Sequence, residues 1–483
     1  MIGWLAPMQP LLQANYNGTN STSPLGAQAE PFTDEDISWI SGFFCIGGII
    51  GTPLYGYLAN AFGRKKTLIM AAVPFILAYA LIIFAQTPFM IYVARFIAGL
   101  GGGGVCVIAP MYIGETAEDN IRGVLGSYFN LFICMGILIS FVVGSYTSYL
   151  FLGLMSISFP ILFLVAAIWL PETPIYSLLN NNTEDALNAL IKLRGNHKEL
   201  IENELMNLTS SVKEMTSNDE ESMSIMDMIR DPATRKALII GGVLMTVQQF
   251  SGISPILNYT VAIFEASGSN LSPNLAAIIV GVLQLIGAII ATVFMDRAGR
   301  KFLLLVSSSG MALALSLIAV FFYLKDIGAD PDLLLSIGWL PVTSMAIYIV
   351  VYALGFGPVP FVLLSEIFKT EAKGPATSFC IFLIWGEAFI LLKFFASLNA
   401  LLGTGVCFGI FALCCGLGAV FTFYYIPETK GKSLEVILFK LGDKEPKGKL
   451  ERSSPIPLVE LNEKKPEVTK FDFPPSEKIE DKA

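Results

Sequence analysis

Apolar runs of about 20 residues, enough to cross a bilayer core of about 30 Å as helix, alternate along the chain with short polar links. They lie at about 37–59, 67–86, 88–112, 123–144 and 149–170, and again at about 236–264, 273–295, 302–324, 337–364, 375–398 and 404–426. Residues 1–13 are also apolar but reach only about 20 Å as a helix, and they carry Pro7 and Pro10 without a basic flank. Three polar stretches interrupt the series. Residues 14–36 form one; 171–235 form another, whose periodicity near 185–194 and 199–208 predicts short surface helices; 427–483, rich in Lys, Glu and Pro, predicts a mostly disordered tail.

One apolar run is broken from within. Gln248-Gln249-Phe250-Ser251-Gly252-Ile253-Ser254-Pro255-Ile256-Leu257-Asn258-Tyr259 places amides and hydroxyls in a segment otherwise fit for hydrocarbon. Such groups are tolerated there only against protein, water or a ligand. Gly252 and Pro255 loosen the backbone beside them. An interrupted membrane helix with hydrogen-bonding side chains is where a transporter places its substrate. The plainer role, gluing two helices together, is worth only about 1 kcal/mol per contact. The cluster as a whole favours a binding site.

Composition agrees with membrane residence: 54% of residues are hydrophobic, 14% are charged and the mean hydropathy is +0.64, against about 25% charged in soluble domains. The net charge of −8 adds little, because the distribution of charge decides topology. All seven cysteines fall within apolar runs and read as free thiols. His197 is the only histidine and lies in a hydrophilic loop. With no nucleotide loop, triad or metal cluster in view, neither an enzyme, nor a cofactor or metal, nor a nucleic-acid partner is expected.

Basic residues set the orientation. Arg64, Lys65, Lys66, Arg122, Arg194, Arg235, Arg297, Arg300, Lys301, Lys369, Lys373 and the tail lysines fall on one side, Lys325 on the other. The first side is therefore expected to be cytoplasmic. The glycosylation sequons at Asn17, Asn20 and Asn270 then lie outside. The sequence also repeats itself. Gly63-Arg64-Lys65 returns as Gly299-Arg300-Lys301, the Glu115/Arg122 spacing as Glu366/Lys373, and Pro171-Glu172-Thr173 as Pro427-Glu428-Thr429. Two six-helix halves of like orientation explain these offsets: residues 1–170 and 236–426, joined by a cytoplasmic loop over 171–235 and followed by a tail over 427–483.

These motifs, with Arg95-Phe96, Pro110 to Glu115, Arg122-Gly123, Asp296 to Lys301 and Gly355 to Phe361, identify the chain as resembling the sugar porters of the major facilitator superfamily. It is most similar to the insect facilitated trehalose transporters, over nearly the whole length to about residue 435. The resemblance implies an all-α membrane protein with twelve transmembrane helices in two six-helix bundles, working by alternating access as a plasma-membrane carrier. The partners it implies are a small-molecule sugar, trehalose or a hexose such as glucose, and the lipid bilayer. It also implies a functional monomer with both termini cytoplasmic in the full-length form. Gln248, Gln249 and Ile253 match sugar-contacting positions of the seventh helix. Asn130 stands for a fifth-helix Gln, Gln284 for an eighth-helix Asn, and Trp385 for an eleventh-helix Trp. Amides suit a polyol because they both donate and accept, and aromatic faces cover its C–H surface. For Trp385 and Phe361, packing is the more expected role.

The charged motifs resemble a cytoplasmic latch that holds the halves together when the site faces outward: Arg64, Glu115, Arg122 and Glu172 in one half, Arg297, Arg300, Glu366, Lys373 and Glu428 in the other. Lys65 and Lys66 are expected to be solvated loop charges that serve topology only.

Several positions depart from the family pattern. Ser254 and Asn258 replace an Asn and an aromatic residue, which reshapes the pocket, and Ile175 replaces an Arg that commonly completes the first latch. Glu387 and Lys393 place charges in the eleventh span, at about 3 kcal/mol each, so each is expected to face the cavity or a partner, and Glu387 to accept hydrogen bonds from sugar hydroxyls. The family's first helix begins well before Gly3-Trp4-Leu5-Ala6-Pro7. The chain as given is expected to start upstream or to lack most of that helix. Proton-coupled symport, a non-transporting sugar sensor and an inactive truncated isoform are the competing readings; the short tail, with no evident module, argues against the sensor.

Overall fold

The computed structural model describes residues 2–13, 32–118, 121–195, 198–217, 225–267, 272–430, 432 and 434–442. A 3-10 turn (Ile2–Trp4) leads into α1 (Leu5–Gln13), then α2 (Asp34–Phe62), α3 (Arg64–Ile83), α4 (Pro88–Thr116), α5 (Arg122–Tyr146) and α6 (Tyr149–Ala167). The hydrophilic stretch holds α7 (Pro174–Leu179), α8 (Thr183–Arg194), α9 (Lys198–Ser217) and α10 (Ile225–Arg230). The second series is α11 (Pro232–Phe250), α12 (Ile253–Asn258), α13 (Thr260–Ser267), α14 (Pro273–Ala298), α15 (Arg300–Asp326) and α16 (Pro331–Ser336). It continues through α17 (Leu340–Leu354), α18 (Val359–Ile367), α19 (Thr370–Leu402), α20 (Thr404–Tyr425) and α21 (Leu434–Leu441).

Among the described residues, eleven helical stretches are long and apolar enough to cross a membrane, with α11 and α12 forming one and α17 and α18 another. The leading segment is too short to be a twelfth. It packs as a plug instead: Trp4, Leu5 and Met8 are fully buried, the Trp4 ring meets Tyr149 edge-on at 5.9 Å, and α1 lies against α5, α12 and α13.

Helix ends differ from the apolar runs where capping chemistry extends them. The first run begins at residue 37, yet α2 starts at Asp34, because Thr33 and Asp36 form a reciprocal capping box and three acids fill the first turn. Asp231 and Ser272 cap α11 and α14 by accepting the backbone N–H groups of Thr234 and Leu275. The expected surface helices are α8 and α9; α7 and α10 were not foreseen. The tail departs from the expectation of disorder over its first residues, since α21 buries Ile437, Leu438 and Leu441 against α11 and α18. The tail from 443 onward lies outside the described residues, as do Asn17, Asn20 and Asn270.

The packing repeats between the two series. The pairs α2–α4 and α3–α6 of the first return as α14–α17 and α15–α20 in the second. Across the series, α2 packs on α19 and α5 on α14, again a matched pair. The α2–α4 contact is made of backbone. A Cβ on Gly47 would stand 2.1 Å from Phe96 O, and one on Gly99 2.1 Å from Phe44 O. With Gly51 and Gly103 one turn further on, these form the small-residue seam that lets membrane helices approach closely.

The contacts joining the halves lie toward one face of the molecule, away from the basic loops. Lys393 reaches Ser38, Phe389 covers Gly42 and Trp385 covers Gly48. On the other seam, Gly281 of α14 seats against Leu138 and Phe141 of α5. We call this the far side.

Candidate functional site

The broken helix is built as its residues dictate. Gly252 takes the left-handed conformation (φ 84°) that separates α11 from α12. The polar groups freed there are satisfied locally: Ser251 Oγ donates to Gln248 O at 2.7 Å, Tyr348 Oη donates to Ser251 O at 3.1 Å, and Ser254 Oγ donates to Gln249 Oε1 at 2.8 Å across the break. Gln248 Nε2 donates to Phe356 O at 2.8 Å and Gly357 O at 3.2 Å, and faces Tyr352 Oη at 3.4 Å. Two carbonyl acceptors fix which end of the amide is nitrogen. Asn258 is oriented likewise by Nδ2 donating to Ser254 O at 2.9 Å.

This leaves acceptors without donors. Gln248 Oε1, Asn258 Oδ1 and Gln284 Oε1 are buried and find no hydrogen-bond partner among the described residues. These residues are 3%, 5% and 5% exposed, so none is turned to lipid. Gln284 is brought toward Gln248 through α17. One turn beyond Gln284, a Cβ on Gly287 would stand 2.8 Å from Ala353 Cβ, and Ala353 adjoins the Tyr352 that faces Gln248. The small residue at 353 permits that approach. Unpaired buried acceptors are rare and cost about 1–3 kcal/mol each. Two of them, on Gln248 and Asn258, flank the helix break and the third, on Gln284, lies across α17 from it; such oxygens call for hydrogen-bond donors.

The remaining candidates fall in different places. Ile253 is buried beside the break. Asn130 is partly exposed on α5. Trp385 lies on the seam, its ring 5.8 Å from Phe44 and edge-on to it, which fits the packing role expected of it. Phe361 does not pack: it is 47% exposed, because α18 buries the opposite face through Pro360, Leu363, Leu364 and Ile367. Glu387 is tied to the broken helix by one of its two oxygens. Its Oε1 accepts from Thr246 Oγ1 of α11 at 2.6 Å, and its Oε2 has no described partner. A cavity of about 550 Å³ runs within the first half between α3, α4, α5 and α6, and reaches the seam at Phe44 and Trp385. Its lining is apolar and contains none of the amides, so the amide cluster is the better candidate for polyol chemistry.

On the basic side the two halves build the same device twice. Arg64 bonds Glu115 Oε1 through Nε at 3.0 Å, and Arg300 bonds Glu366 Oε1 through Nη2 at 3.0 Å. Glu172 accepts the backbone N–H groups of Arg64 and Lys65, capping α3; Glu428 accepts those of Arg300 and Lys301, capping α15. Gly63 and Gly299, both at positive φ, make room: a Cβ on either would stand 2.4 or 2.7 Å from the capping carboxylate. Thr173 and Thr429 complete each cluster by donating to Glu115 and Glu366 at 2.6 Å. These threonines were visible in the Pro-Glu-Thr repeats, but their partners were not. Each cluster lies within its own half rather than across the seam. Lys65 corrects the reading of a solvated loop charge, since its Nζ donates to Ile168 O at 3.0 Å, as Lys301 does to Phe423 O at 2.7 Å. Arg122, Arg297 and Lys373 belong to α5, α14 and α19, and their side chains lie outside the described part of the structure.

Burial alone would raise the Glu428 carboxyl, but the backbone N–H groups of Lys430, Arg300, Lys301 and Thr429 hold it below its ordinary 4.5. A depressed folded value stabilises above the unfolded value and is lost as pH falls through the folded one. Glu428→Gln is therefore expected to lower the melting temperature at pH 7 and equally at pH 6. The gap to wild type closes below about pH 4. A gap independent of pH down to 3 would contradict the capping role.

A family model described as sugar (and other) transporter matches residues 2–438. Among curated relatives, the facilitated trehalose transporter Tret1 of Culex quinquefasciatus is 36% identical over 409 residues, spanning 85% of this chain and 78% of the relative. That of Bombyx mori is 37% identical over 413 residues, 85% of this chain and 80% of the relative. That of Anopheles gambiae is 37% identical over 409 residues, of which this chain spans only 51% of the relative. Among solved structures, the partially occluded inward-open xylose transporter XylE from E. coli is similar at TM-score 0.71 and 24% identity, over 89% of this chain and 96% of that one. The proton:xylose symporter XylE bound to 6-bromo-6-deoxy-D-glucose matches at TM-score 0.71 and 26% identity, over 92% and 96%. With the helix order, the repeated packing and the paired charge clusters already described, these matches mean that the chain belongs to the sugar (and other) transporter family and has the fold of the major facilitator superfamily.

Proposed function

We propose that this transporter carries trehalose, or a hexose such as glucose, by facilitated diffusion, alternately exposing one site between its halves. The observation that carries the reading is the set of three buried carbonyl oxygens, on Gln248, Asn258 and Gln284, with no donor among the described residues. A sugar hydroxyl is a neutral donor that removes this cost on binding and restores it on leaving. Gln249, Ser254, Asn130 and Ile253 shape the surrounding pocket and Trp385 closes it at the seam. Glu387 acts through Thr246, and Phe361 lies at the margin. The trehalose transporters named above support the substrate class.

In this reading residues 1–170 and 236–426 are the moving halves, the 171–235 loop and the tail are cytoplasmic, and the carrier works as a monomer in the plasma membrane. The basic side is then the cytoplasm and the far side the exterior, so the far-side contacts describe a carrier closed to the outside. The clusters around Arg64 and Arg300 hold each half together here and meet across the seam when the inner side closes.

Uptake of labelled trehalose and glucose in oocytes tests the proposal. The expected result is saturable uptake of one of them that runs down its gradient and survives an uncoupler. Uptake that collapses with the uncoupler would replace this reading with proton symport. Normal surface expression with no uptake of either sugar would contradict it.

A further inference from the structure

The charged residue at the outer end of α19 has a partner in the other half. Lys393 Nζ donates to Ser38 Oγ of α2 at 3.0 Å, lies 3.7 Å from Glu35 Oε1 and sits 4.1 Å from the Trp39 ring centroid. Its side chain is only 13% exposed. Three residues of α19 spaced four apart run up this seam: Trp385 covers Gly48, Phe389 covers Gly42, and Lys393 closes the series at Ser38 and Trp39. Behind it, Tyr259 Oη donates to Leu392 O at 3.3 Å and the Tyr259 ring stacks on Phe395 at 5.5 Å, which fixes this part of α19 to the end of the broken helix. The matched seam, α5 against α14, is apolar at Gly281, Leu138 and Phe141. At these positions the two seams differ: an ammonium stands on one where the other is apolar.

We propose that Lys393 is the key of a far-side gate: bound to Ser38, Glu35 and Trp39 of the other half it holds the exterior mouth shut, and its release into water is a step in opening the pocket to that side. An ammonium within a membrane-spanning helix is costly unless partnered. Here a hydroxyl, a carboxylate and an aromatic face partner it only while α2 and α19 are together. When the seam parts, water replaces all three, so the residue serves both states and sets the balance between them. The aromatic and glycine contacts below it give shape to the closed seam, while Lys393 makes closure depend on one polar contact set.

The inference rests on the proposed alternating carrier, and its test needs no sugar. Spin labels carried by unnatural amino acids at Tyr146 and Glu265, exposed residues near the far-side ends of α5 and α13, report the separation of the halves in nanodiscs. Lys393→Met is expected to raise the long-distance population about three- to tenfold. Lys393→Arg should stay near wild type, and Glu35→Gln should shift the same way by less. If Lys393→Met does not fold, the Glu35→Gln/Ser38→Ala double variant reads the same shift. Wild-type distances in whichever of these two variants folds would overturn the gate, even with normal uptake. A shift in a protein that transports no sugar would leave the gate standing and overturn the proposed function.

Discussion

Replacing Gln248 with leucine is expected to reduce sugar uptake about 100-fold and to lower the melting temperature as well. The substitution removes one buried acceptor that a sugar hydroxyl would satisfy. It also strands Phe356 O and Gly357 O, which the Gln248 amide nitrogen serves at 2.8 and 3.2 Å. The lost sugar contact, about 1–3 kcal/mol, accounts for the fall in uptake, and the stranded carbonyls account for the fall in melting temperature. Gln284→Leu separates the two contributions. No described hydrogen bond depends on the Gln284 side chain, and its Oε1 is unpartnered, so an apolar replacement should leave thermal stability unchanged or higher while uptake falls at least about tenfold. Loss of stability and uptake together in Gln284→Leu would mean that this residue holds helices rather than substrate. The paired measurements are uptake at matched surface level and thermal melting of the purified protein.

Gly99→Val is expected to abolish folding of the first half. A Cβ at this position would lie 2.1 Å from Phe44 O and 2.9 Å from Gly47 Cα. Both are backbone atoms, so no rotamer change relieves the clash and the helices must separate along the seam. The cost exceeds the about 1–3 kcal/mol of ordinary overpacking. Loss of monodisperse protein in size-exclusion chromatography is the expected outcome. Gly126→Val is the control: nothing lies within 4 Å of its Cβ position, and its elution should match wild type. Similar behaviour of the two variants would remove the close seam from the account.

How far the fold and the site were legible depended on the range of each interaction. Apolar runs of spanning length located eleven crossings because burial in hydrocarbon acts residue by residue. Their ends shifted where local chemistry intervened, as at Thr33 and Asp36. The helix α21 was hidden because a tail dominated by Lys, Glu and Pro masks the short apolar run that Ile437, Leu438 and Leu441 place against α11 and α18. The charge motifs were visible as repeats, yet nothing in Pro-Glu-Thr says that its carboxylate caps a helix 108 residues upstream. Glu387 and Lys393 were recognisable as expensive charges in need of partners. The partners, 141 and 355 residues away in sequence, emerge only from packing. Phe361 was misjudged because hydrophobicity alone does not say which face of α18 turns inward.

In the proposed carrier the site presents acceptors and therefore selects donors. Competition against labelled-sugar uptake, using analogues of the transported sugar with one hydroxyl replaced by hydrogen or by fluorine, tests it directly. Fluorine keeps the size and some acceptor character of the hydroxyl but donates no proton. At the positions where deoxygenation weakens competition, the account predicts that the fluoro analogue competes as poorly as the deoxy sugar, by about tenfold or more per contact. Fluoro analogues that compete as well as the parent sugar at every position would contradict it.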